Sequence, residues 1–455
     1  MESKKLKQTQ RYVLRLFMMG SNEHIKRMIP KLRPAEIVEL MAHLRKSDQI
    51  RFFKLLFDVR MAAGTITALP AELAKELIGE FADDTVAEMT RRLSPDDAVD
   101  LLAHLPEERQ EQVLKQLNER ERWTLERLRL YDEDTAGGRM TTEYIALSGE
   151  MTAAEALDAL RQKYEKSDLL DIYVTDDHNH LIGILPLRSL VFASGQARVK
   201  TLMVPDPVTI QPDTPQEAVA NLVSDFDLLA VPVVDEENKI LGVVTFDDIL
   251  EVMEEEATED MYHLAGLDTA ERVFSPVSRS VRLRVPWLLI NLCTALLAAL
   301  TVSLFKDSIS KFVPLAVLMP IIAGLGGNAG SQSLTVVVRG LALGELEFAS
   351  RWRAVLKSVS VGFCTGSLNG LVMGAITYLW YRNLWLSSIL FVAMIANMLL
   401  AGLFGALVPL LLKWANKDPA LGSNIFVTTV TDVGGFFIFL GLATVFMDSL
   451  NLPLP

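Results

Sequence analysis

Long apolar runs dominate the second half of the chain. They cover residues 285–305, 312–338, 354–381, 386–412 and 422–447, and charged residues lie between them. Each run reaches the ~20 residues that a helix needs to cross ~30 Å of hydrocarbon. The pattern therefore predicts five membrane-spanning helices, and this odd number places the two chain ends on opposite sides of the membrane.

Residues 30–130 carry a helical repeat. The segment Leu32-Arg-Pro-Ala-Glu-Ile-Val-Glu-Leu-Met-Ala-His-Leu resembles Leu93-Ser-Pro-Asp-Asp-Ala-Val-Asp-Leu-Leu-Ala-His-Leu, which begins 61 residues later. A proline followed by acids is typical of the first turn of a helix. We expect a small helical superhelix in which the matched His43 and His104 are packing residues and not metal ligands.

Residues 140–253 hold a second repeat. Met140-Thr-Thr-Glu and Met203-Val-Pro-Asp-Pro each precede a helix-like run. Two β-branched apolar stretches then follow in each copy, separated by an Asp-rich turn, and this predicts a pair of strands. The order resembles a tandem pair of CBS domains.

CBS pairs often bind adenine nucleotides through a Gly-x-x-Thr-x-x-Asp stretch. The second copy has this stretch at Gly242, Thr245 and Asp248, whereas the first copy has Pro186 and Ser189 in place of the Thr and the Asp. The resemblance therefore implies ATP as a candidate ligand of the CBS pair. The candidate nucleotide-binding residues are Thr245, Asp248 and Arg188.

The boundary between the polar front part and the apolar back part of the chain is also a boundary in charge. Of the 57 acids and 44 bases, only six acids and nine bases lie from Val285 onward, so the front part is strongly acidic and the apolar part slightly basic. An acidic front disfavours nucleic acid as a partner and suggests cations. Cys293 and Cys364 lie in apolar runs far apart in sequence, which predicts small core residues and neither a disulfide nor a metal site.

The Lys and Arg residues at the ends of the predicted spans indicate orientation. Nine lie on one side, at Arg279, Arg282, Arg284, Arg339, Arg351, Arg353, Lys357, Lys413 and Lys417. Three lie on the other, at Lys306, Lys311 and Arg382. Because cytoplasmic loops carry the excess of basic residues, we expect a cytoplasmic N-terminal part and a C-terminus outside.

One carboxylate, Asp432, lies inside the fifth run. It is about ten residues, or ~15 Å, from the start of the run, and so near the middle of the bilayer. An acid at that depth costs several kcal/mol unless it is paired, hydrated or placed in a cavity. Asn424, Thr428 and Gly435 share its helical stripe, and no span residue offers a Lys or Arg at similar depth.

The second run is also unusual for a membrane helix. Met319-Pro-Ile-Ile-Ala-Gly-Leu-Gly-Gly-Asn-Ala-Gly-Ser-Gln-Ser contains a proline and four glycines within eleven residues, which weaken a helix. Asn328 and Gln332 lie on one helical face. Two polar stripes in an apolar bundle suggest a wet path, and the alternative is that these polar groups hold helices together.

A carboxylate with hydroxyl and amide oxygens suits a hard cation. The absence of His and Cys near Asp432 disfavours softer metals. A symmetric dimer would bring two Asp432 carboxylates to a shared axis, where they could hold Mg²⁺ through its waters. Spacing alone leaves calcium, manganese and protons open.

Acids are also dense before the first apolar run, as in Asp247-Asp-Ile-Leu-Glu-Val-Met-Glu-Glu-Glu-Ala-Thr-Glu-Asp. Further acids occur in the helical part and the second CBS copy, at Asp96, Asp97, Asp100, Glu217, Asp225 and Asp227. If these faces meet, divalent ions could bridge them, because hard cations favour clusters of oxygen ligands. The alternative is a solvated helix face.

Several stretches resemble the MgtE family of magnesium channels. They are Tyr131-Asp-Glu-Asp-Thr-Ala-Gly-Gly-Arg-Met, Glu254-Glu-Glu-Ala-Thr-Glu-Asp, Gly326-Gly-Asn-Ala-Gly-Ser-Gln-Ser and Thr431-Asp-Val-Gly-Gly. The resemblance covers nearly the whole chain and implies a homodimeric, multi-domain α+β protein. The implied parts are a cytoplasmic helical domain over 1–132, CBS copies over 133–201 and 202–256, a connecting plug helix over 257–283 and a five-helix transmembrane domain over 284–455.

The resemblance also implies a magnesium pore in the bacterial inner membrane, closed by cytosolic magnesium. The pore acid falls on Asp432, with Asn424, Thr428 and the backbone near Gly435 beside the ion path and Asn328 and Gln332 as pore-lining candidates. The sensor ligands fall mainly on Asp248, Glu251, Glu256, Glu259 and Asp260, with the other acid faces more weakly implied. The plug helix beside the pore would cover residues 257–275.

The sequence also leaves other functions open. A proton-coupled carrier of Co²⁺, Ni²⁺ or Mn²⁺ would use Asp432 as its proton site. Anion channels also carry CBS pairs, but the spans lack basic residues. A CBS-regulated membrane sensor would carry no flux. An enzyme is the weakest hypothesis, because no nucleophile–base pair, phosphate loop or zinc spacing occurs in the sequence.

Overall fold

The computed structural model describes residues 2–58, 60–163, 171–273, 275–346 and 350–447. Residues 164–170 of the expected first CBS copy and 448–455 of the expected transmembrane domain lie outside these ranges. The chain forms two compact units, divided between Glu251 and Val252. Among the described residues, the first unit contains every strand and the second is helical.

The first unit begins with a run of short helices. They are α1 Glu2–Met18, α2 Asn22–Met28, α3 Pro34–Ala42, α4 Lys46–Asp58, α5 Ala62–Ile66, α6 Ala71–Gly79, α7 Asp83–Thr90, α8 Pro95–Ala103, α9 Glu107–Leu114 and α10 Glu119–Leu128, with a 3₁₀ turn at Ile29–Lys31. The repeated sequence segments form α3 and α8, each with its proline in the first turn. The helical repeat is therefore confirmed.

The two matched histidines cap these helices at their C-terminal ends. His104 is partly buried, and burial lowers its pKa, in keeping with a packing role. His43 is exposed instead, and its Nδ1 donates to the Glu39 carbonyl at 2.8 Å. The prediction of a packing residue is therefore wrong for His43, whose side chain is exposed.

The rest of the first unit contains the strands. The elements are α11 Ala136–Arg139, β1 Ile145–Ser148, α12 Ala153–Lys163, β2 Asp171–Thr175, β3 Leu181–Pro186, α13 Leu187–Phe192, α14 Val199–Leu202, β4 Val204–Pro205, α15 Gln216–Phe226, β5 Ala230–Val234 and β6 Ile240–Thr245. Strands β1 to β4 form one sheet in sequence order, and β5 pairs with β6. β1 and β2 are parallel, and the other pairs are antiparallel.

The Asp-rich turns expected between paired strands have the same geometry in both copies. Asp176 Oδ1 accepts from the backbone N–H groups of His178 and His180, at 2.8 and 2.9 Å. Asp235 Oδ1 likewise accepts from two backbone N–H groups between β5 and β6, at 3.0 and 2.8 Å. A short acceptor side chain therefore closes each turn, which is why aspartate recurs at both positions.

The connecting helix differs from expectation. Helix α16 runs over Phe246–Leu264 and ends well before residue 275, the expected limit of the plug helix. Gly266 has φ +67°, and the Leu267 N–H donates to the Tyr262 carbonyl at 2.8 Å. This left-handed glycine closes the helix in a Schellman motif. The expected single helix over 257–283 is therefore interrupted: α16 ends at Leu264, residues 265–273 are not helical, and the next helix begins at Val277.

Five helices of the second unit are long and apolar enough to cross a membrane. They are α17 Val277–Ser303, α19 Pro314–Ala342, α20 Arg351–Tyr381, α21 Leu384–Trp414 and α22 Ser423–Val445, with a short α18 Lys306–Lys311 between the first two. All five apolar runs of the sequence are thereby confirmed as helices.

Helix α19 is continuous despite its proline and glycines. Pro320 lies inside the helix, and Gly326 and Gly330 are buried in it. An ideal Cβ on either glycine would overlap a side chain of a neighbouring helix, Asn397 in the first case and Val427 in the second. The expectation of a weakened helix is therefore wrong, because packing against neighbouring helices compensates for poor intrinsic propensity.

The glycines at spacing four in the third run allow close helix packing. Gly362, Gly366, Gly370 and Gly374 are all buried in α20. An ideal Cβ on Gly366 would lie 3.0 Å from the Ile395 Cα of α21, and one on Gly370 would lie 3.0 Å from the Phe391 carbonyl oxygen. Only glycine permits this backbone separation, so this stripe is a packing feature.

Candidate functional site

The acid inside the fifth spanning helix lies near its middle. Asp432 is nine residues after Ser423, the first residue of α22, which corresponds to about 14 Å along the axis. Its side chain is partly buried. Across the described ranges, no hydrogen bond or ion pair reaches the Asp432 carboxylate. Among the described residues of one chain, no basic side chain pairs with Asp432.

The polar stripe of α22 contacts α19. The Ser331 hydroxyl donates to Asn424 Oδ1 at 2.5 Å and also lies 3.0 Å from the Gly327 carbonyl oxygen. A Cβ built on Gly327 would lie 3.7 Å from the Thr428 methyl group. The two helices thus approach each other at a small residue, and their polar groups meet there. Sequence reasoning missed Ser331, although it is one helical turn after Gly327 on the same face.

The remaining stripe residues occupy two environments. Asn328 and Gln332 are exposed on α19 in the single chain. Gly435 is buried, and a Cβ built on it would lie 2.9 Å from the side-chain amide of Asn397 on α21. The two pore-lining candidates therefore face outward from the bundle of one chain, whereas Gly435 lies at an internal helix contact.

The first acid cluster lies in the first unit. We define it by its residues, which are Asp96, Asp97, Asp100, Asp247, Asp248 and Glu251. The pKa of Asp97 is raised by burial and by the negative charges of Asp96, Glu251 and Asp247. Burial and the charge of Asp96 are among the causes that raise the pKa of Asp248 to about 7. The structure therefore joins the first turn of α8 to the start of α16.

This cluster leaves an oxygen without a partner. Asp96 Oδ1 is buried and accepts no hydrogen bond within the described part of the chain. Burial raises the pKa of Asp96, although the Thr141 and Ser94 hydroxyls lower it. Several carboxylates with a buried unpaired oxygen fit a hard divalent cation, which would replace the mutual repulsion with coordination.

The second acid cluster lies in the second unit. We define it as Glu256, Glu259, Asp260, His263 and Asp418. His263 Nδ1 lies 2.5 Å from Asp418 Oδ2 and 3.7 Å from Glu259 Oε1. The ligand atoms of these three residues all lie within 4.8 Å of one another. Since Asp418 lies between α21 and α22, the cluster joins the end of α16 to the loop before the helix of Asp432.

Asp260 belongs to the same cluster. Its pKa is raised to about 6 by burial and by the charges of Asp418 and Glu256, while His263 and Arg339 lower it. Leu264, one turn later, packs against the buried cluster of Leu334, Val338 and Ala420. Sequence reasoning missed His263 and Asp418, although His263 follows Glu259 by four residues on one helix face.

The other predicted ligands lie elsewhere. Asp225 and Asp227 are exposed at the C-terminal end of α15, and Glu217 is exposed in its first turn. Asp227 adopts a left-handed conformation with φ +52° as the C-cap residue. The structure of one chain therefore places none of these three acids in either cluster, and their sensor role stays a prediction.

The nucleotide motif has a defined local geometry. The Thr245 hydroxyl donates within the motif to Asp248 Oδ2, and it lies 2.6 Å from Asp247 Oδ1. Arg188 is exposed on α13. Thr245 and Asp248 are thus held by contacts within the chain, and Asp248 also belongs to the first acid cluster. ATP binding stays a prediction.

Models of known families match most of the chain. The MgtE intracellular N domain matches residues 32–134, the CBS domain matches 136–195 and 199–255, and the MgtE divalent cation transporter matches 319–442. The magnesium transporter MgtE of Thermus thermophilus is 34% identical over 438 residues, which cover 94% of this chain and 96% of that protein. MgtE of Bacillus subtilis is 27% identical over 446 residues, covering 96% and 98%.

A solved structure supports the same comparison for the front of the chain. The crystal structure of the cytosolic domain of the Mg²⁺ channel MgtE in complex with ATP is 32% identical. It superposes with a TM-score of 0.51 and covers 53% of this chain and 99% of that one. The helical part and the CBS pair thus share their fold with a known cytosolic domain.

Proposed function

The chain belongs to the MgtE family of magnesium transporters, and we propose that it forms a homodimeric, magnesium-selective channel of the bacterial inner membrane. It is a multi-pass membrane protein built from a helical domain, a CBS pair and five apolar helices. The pore residues, the dimer, the orientation in the membrane and closure by cytosolic magnesium are proposed here.

The placement of Asp432 carries the proposal. This acid lies at mid-helix, partly buried and without a partner among the described residues of one chain. Such a group is unfavourable in hydrocarbon, so water, an ion or a second subunit must compensate. A second copy would supply another Asp432, and together two carboxylates can hold a magnesium ion through its retained waters. Asn424 and Thr428 would add oxygens along the path.

The two acid clusters support closure by magnesium. In each cluster, carboxylates held close together raise one another's pKa, so the metal-free state is strained by like charges. Binding of divalent cations favours the compact arrangement only because the separated arrangement binds them less well. The second cluster is well placed to transmit this preference, since Asp418 directly precedes the pore helix α22.

The orientation follows from the basic residues at the helix ends. Arg339 and Lys413 lie in the last turns of α19 and α21, on the same side as the acid clusters by the alternation of spans. We infer that this side is cytoplasmic and that the C-terminus lies outside.

Magnesium flux into reconstituted vesicles tests the proposal. We expect Asp432→Asn to reduce the flux at least roughly tenfold, because a neutral amide attracts a hydrated divalent ion less strongly. Asp307→Asn is the matched control, since Asp307 is exposed in the short α18. Normal magnesium flux through Asp432→Asn would contradict the pore assignment. A flux that requires a proton gradient would instead support the proton-coupled carrier.

A further inference from the structure

Asn397 is a buried primary amide about midway along α21. Its side chain is 1% exposed, and it lies in a contact between α21, α19 and α22. The amide Nδ2 donates to the Ile322 carbonyl of α19 at 2.9 Å. Within the described part of the chain, Oδ1 is buried and has no hydrogen-bond partner. Such a group is costly in an apolar bundle, so an apolar side chain would be the simpler way to fill the space.

The amide fits between two glycines of the helices that carry the polar stripes. A Cβ built on Gly326 of α19 would overlap Asn397 Nδ2. A Cβ built on Gly435 of α22 would lie 2.9 Å from Nδ2, Cγ and Oδ1. Gly326 is two residues before Asn328, and Gly435 is three residues after Asp432. Asn397 therefore contacts both helices at the level of the candidate ion path.

We propose that Asn397 is a positioning residue that sets the separation and register of α19 and α22. This inference rests on the proposed pore function. The directional hydrogen bond to Ile322 fixes the height of α19 against α21, and the flat amide fixes the gap to Gly435. Together these contacts align the Asn328 side of α19 with the Asp432 stripe of α22. An apolar side chain of similar size fills the space but cannot fix the register.

Ion flux and ion selectivity in vesicles provide the first test. We expect Asn397→Leu to fold in wild-type amounts and to lose roughly ten- to hundred-fold in magnesium flux, as for other residues that orient ligands. The ratio of magnesium to calcium or cobalt flux should fall as well, because misaligned oxygens discriminate less. If all fluxes fall only in proportion to folded protein, with an unchanged ratio, the role is merely structural and the inference is wrong.

A steric rescue provides the second test. Gly326→Ala should lower the flux, because the new methyl group overlaps Asn397 Nδ2. In the Asn397→Ala background this overlap disappears, so the double variant should transport no less than Asn397→Ala alone. Gly330→Ala is the matched control on the same helix, because its methyl group would overlap Val427 instead and should not be rescued. If the flux lost in Gly326→Ala and the flux lost in Asn397→Ala multiply in the double variant, the inference is wrong.

Different results would overturn the pore function and the positioning role of Asn397. If wild-type protein in vesicles carries no magnesium, the proposed function fails, whatever Asn397 does. If wild-type protein conducts and Asn397→Leu conducts equally well with the same selectivity, the proposed function stands and the positioning role of Asn397 fails.

Discussion

The first acid cluster makes the metal-free protein sensitive to pH and to one substitution. Asp248 is partly buried. Burial and nearby acids that include Asp96 raise its pKa from 3.8 to about 7, although the hydrogen bond from Thr245 lowers it. At a pH between these two pKa values, the Asp248 carboxyl group is protonated in the folded state more often than in the unfolded state. The free energy of unfolding therefore falls as the pH rises from about 4 to about 7, and this destabilisation is fully present above about 7. Asp248→Asn removes this charge and should remove the part of the pH dependence that Asp248 contributes, whereas Asp100, whose pKa is also raised to about 7, keeps its own part.

The magnitude follows from the pKa of the carboxyl group. A change from 3.8 to about 7 corresponds to about 4 kcal/mol, at ~1.4 kcal/mol per pH unit. Partial exposure of Asp248 lets solvent screen its charge, so we expect a gain of about 1–2 kcal/mol for Asp248→Asn without metal. In a fragment ending at Leu264, the end of α16, this corresponds to a rise of about 2–8 °C in the melting temperature.

Thermal unfolding with and without magnesium, at about pH 6 and about pH 8, measures this effect. Wild-type fragment should gain stability from magnesium mainly at the higher pH, whereas Asp248→Asn should be more stable without metal and gain less from it. Asp225→Asn is the matched control, because Asp225 is exposed and lies outside both clusters. A lower melting temperature for metal-free Asp248→Asn, or an unchanged pH dependence, would refute the reasoning.

The remaining predictions concern the second cluster and helix packing. Glu256→Gln with Glu259→Gln should give a channel that conducts but closes poorly when magnesium is high inside vesicles; unchanged inhibition would exclude the second cluster as a sensor. Gly362→Ala should lower the folded yield, with a cost of about 1–3 kcal/mol, because its methyl group would overlap the Met398 carbonyl oxygen. Gly324→Ala, with open space around its Cβ, should leave the yield unchanged in the same detergent-stability assay, and equal effects of both substitutions would contradict the packing argument.

Much of the architecture could be predicted because its signals are local. A proline in the first turn marks α3 and α8, an Asp closes each strand turn, and hydrophobic length marks the spanning helices. The end of α16 was harder to predict. The acidic and apolar pattern of α16 continues past its end. The helix is terminated by Gly266, a single glycine among residues that are compatible with a helix. The continuity of α19 was equally hidden, since it depends on packing partners distant in sequence.

Some residues of the candidate sites could likewise be identified from the sequence, and others could not. Asp432 could be identified from sequence because an acid in an apolar run is unfavourable wherever the helix packs. Asn397 and Ser331 could not be singled out, because a lone amide or hydroxyl in a span usually serves only to hold helices together. His263 and Asp418 are 155 residues apart, so their contact exists only after the chain has folded.

Most of the helices, the paired strands, the five spans and the isolated charge of Asp432 could be identified from the sequence alone. These properties depend on neighbouring residues and on transfer from water, and both can be evaluated along one chain. The folded arrangement was needed to show which acids lie close enough to raise one another's pKa, and which glycines leave room for Asn397. Those properties depend on distances of a few ångströms between residues far apart in sequence, which composition and spacing do not specify.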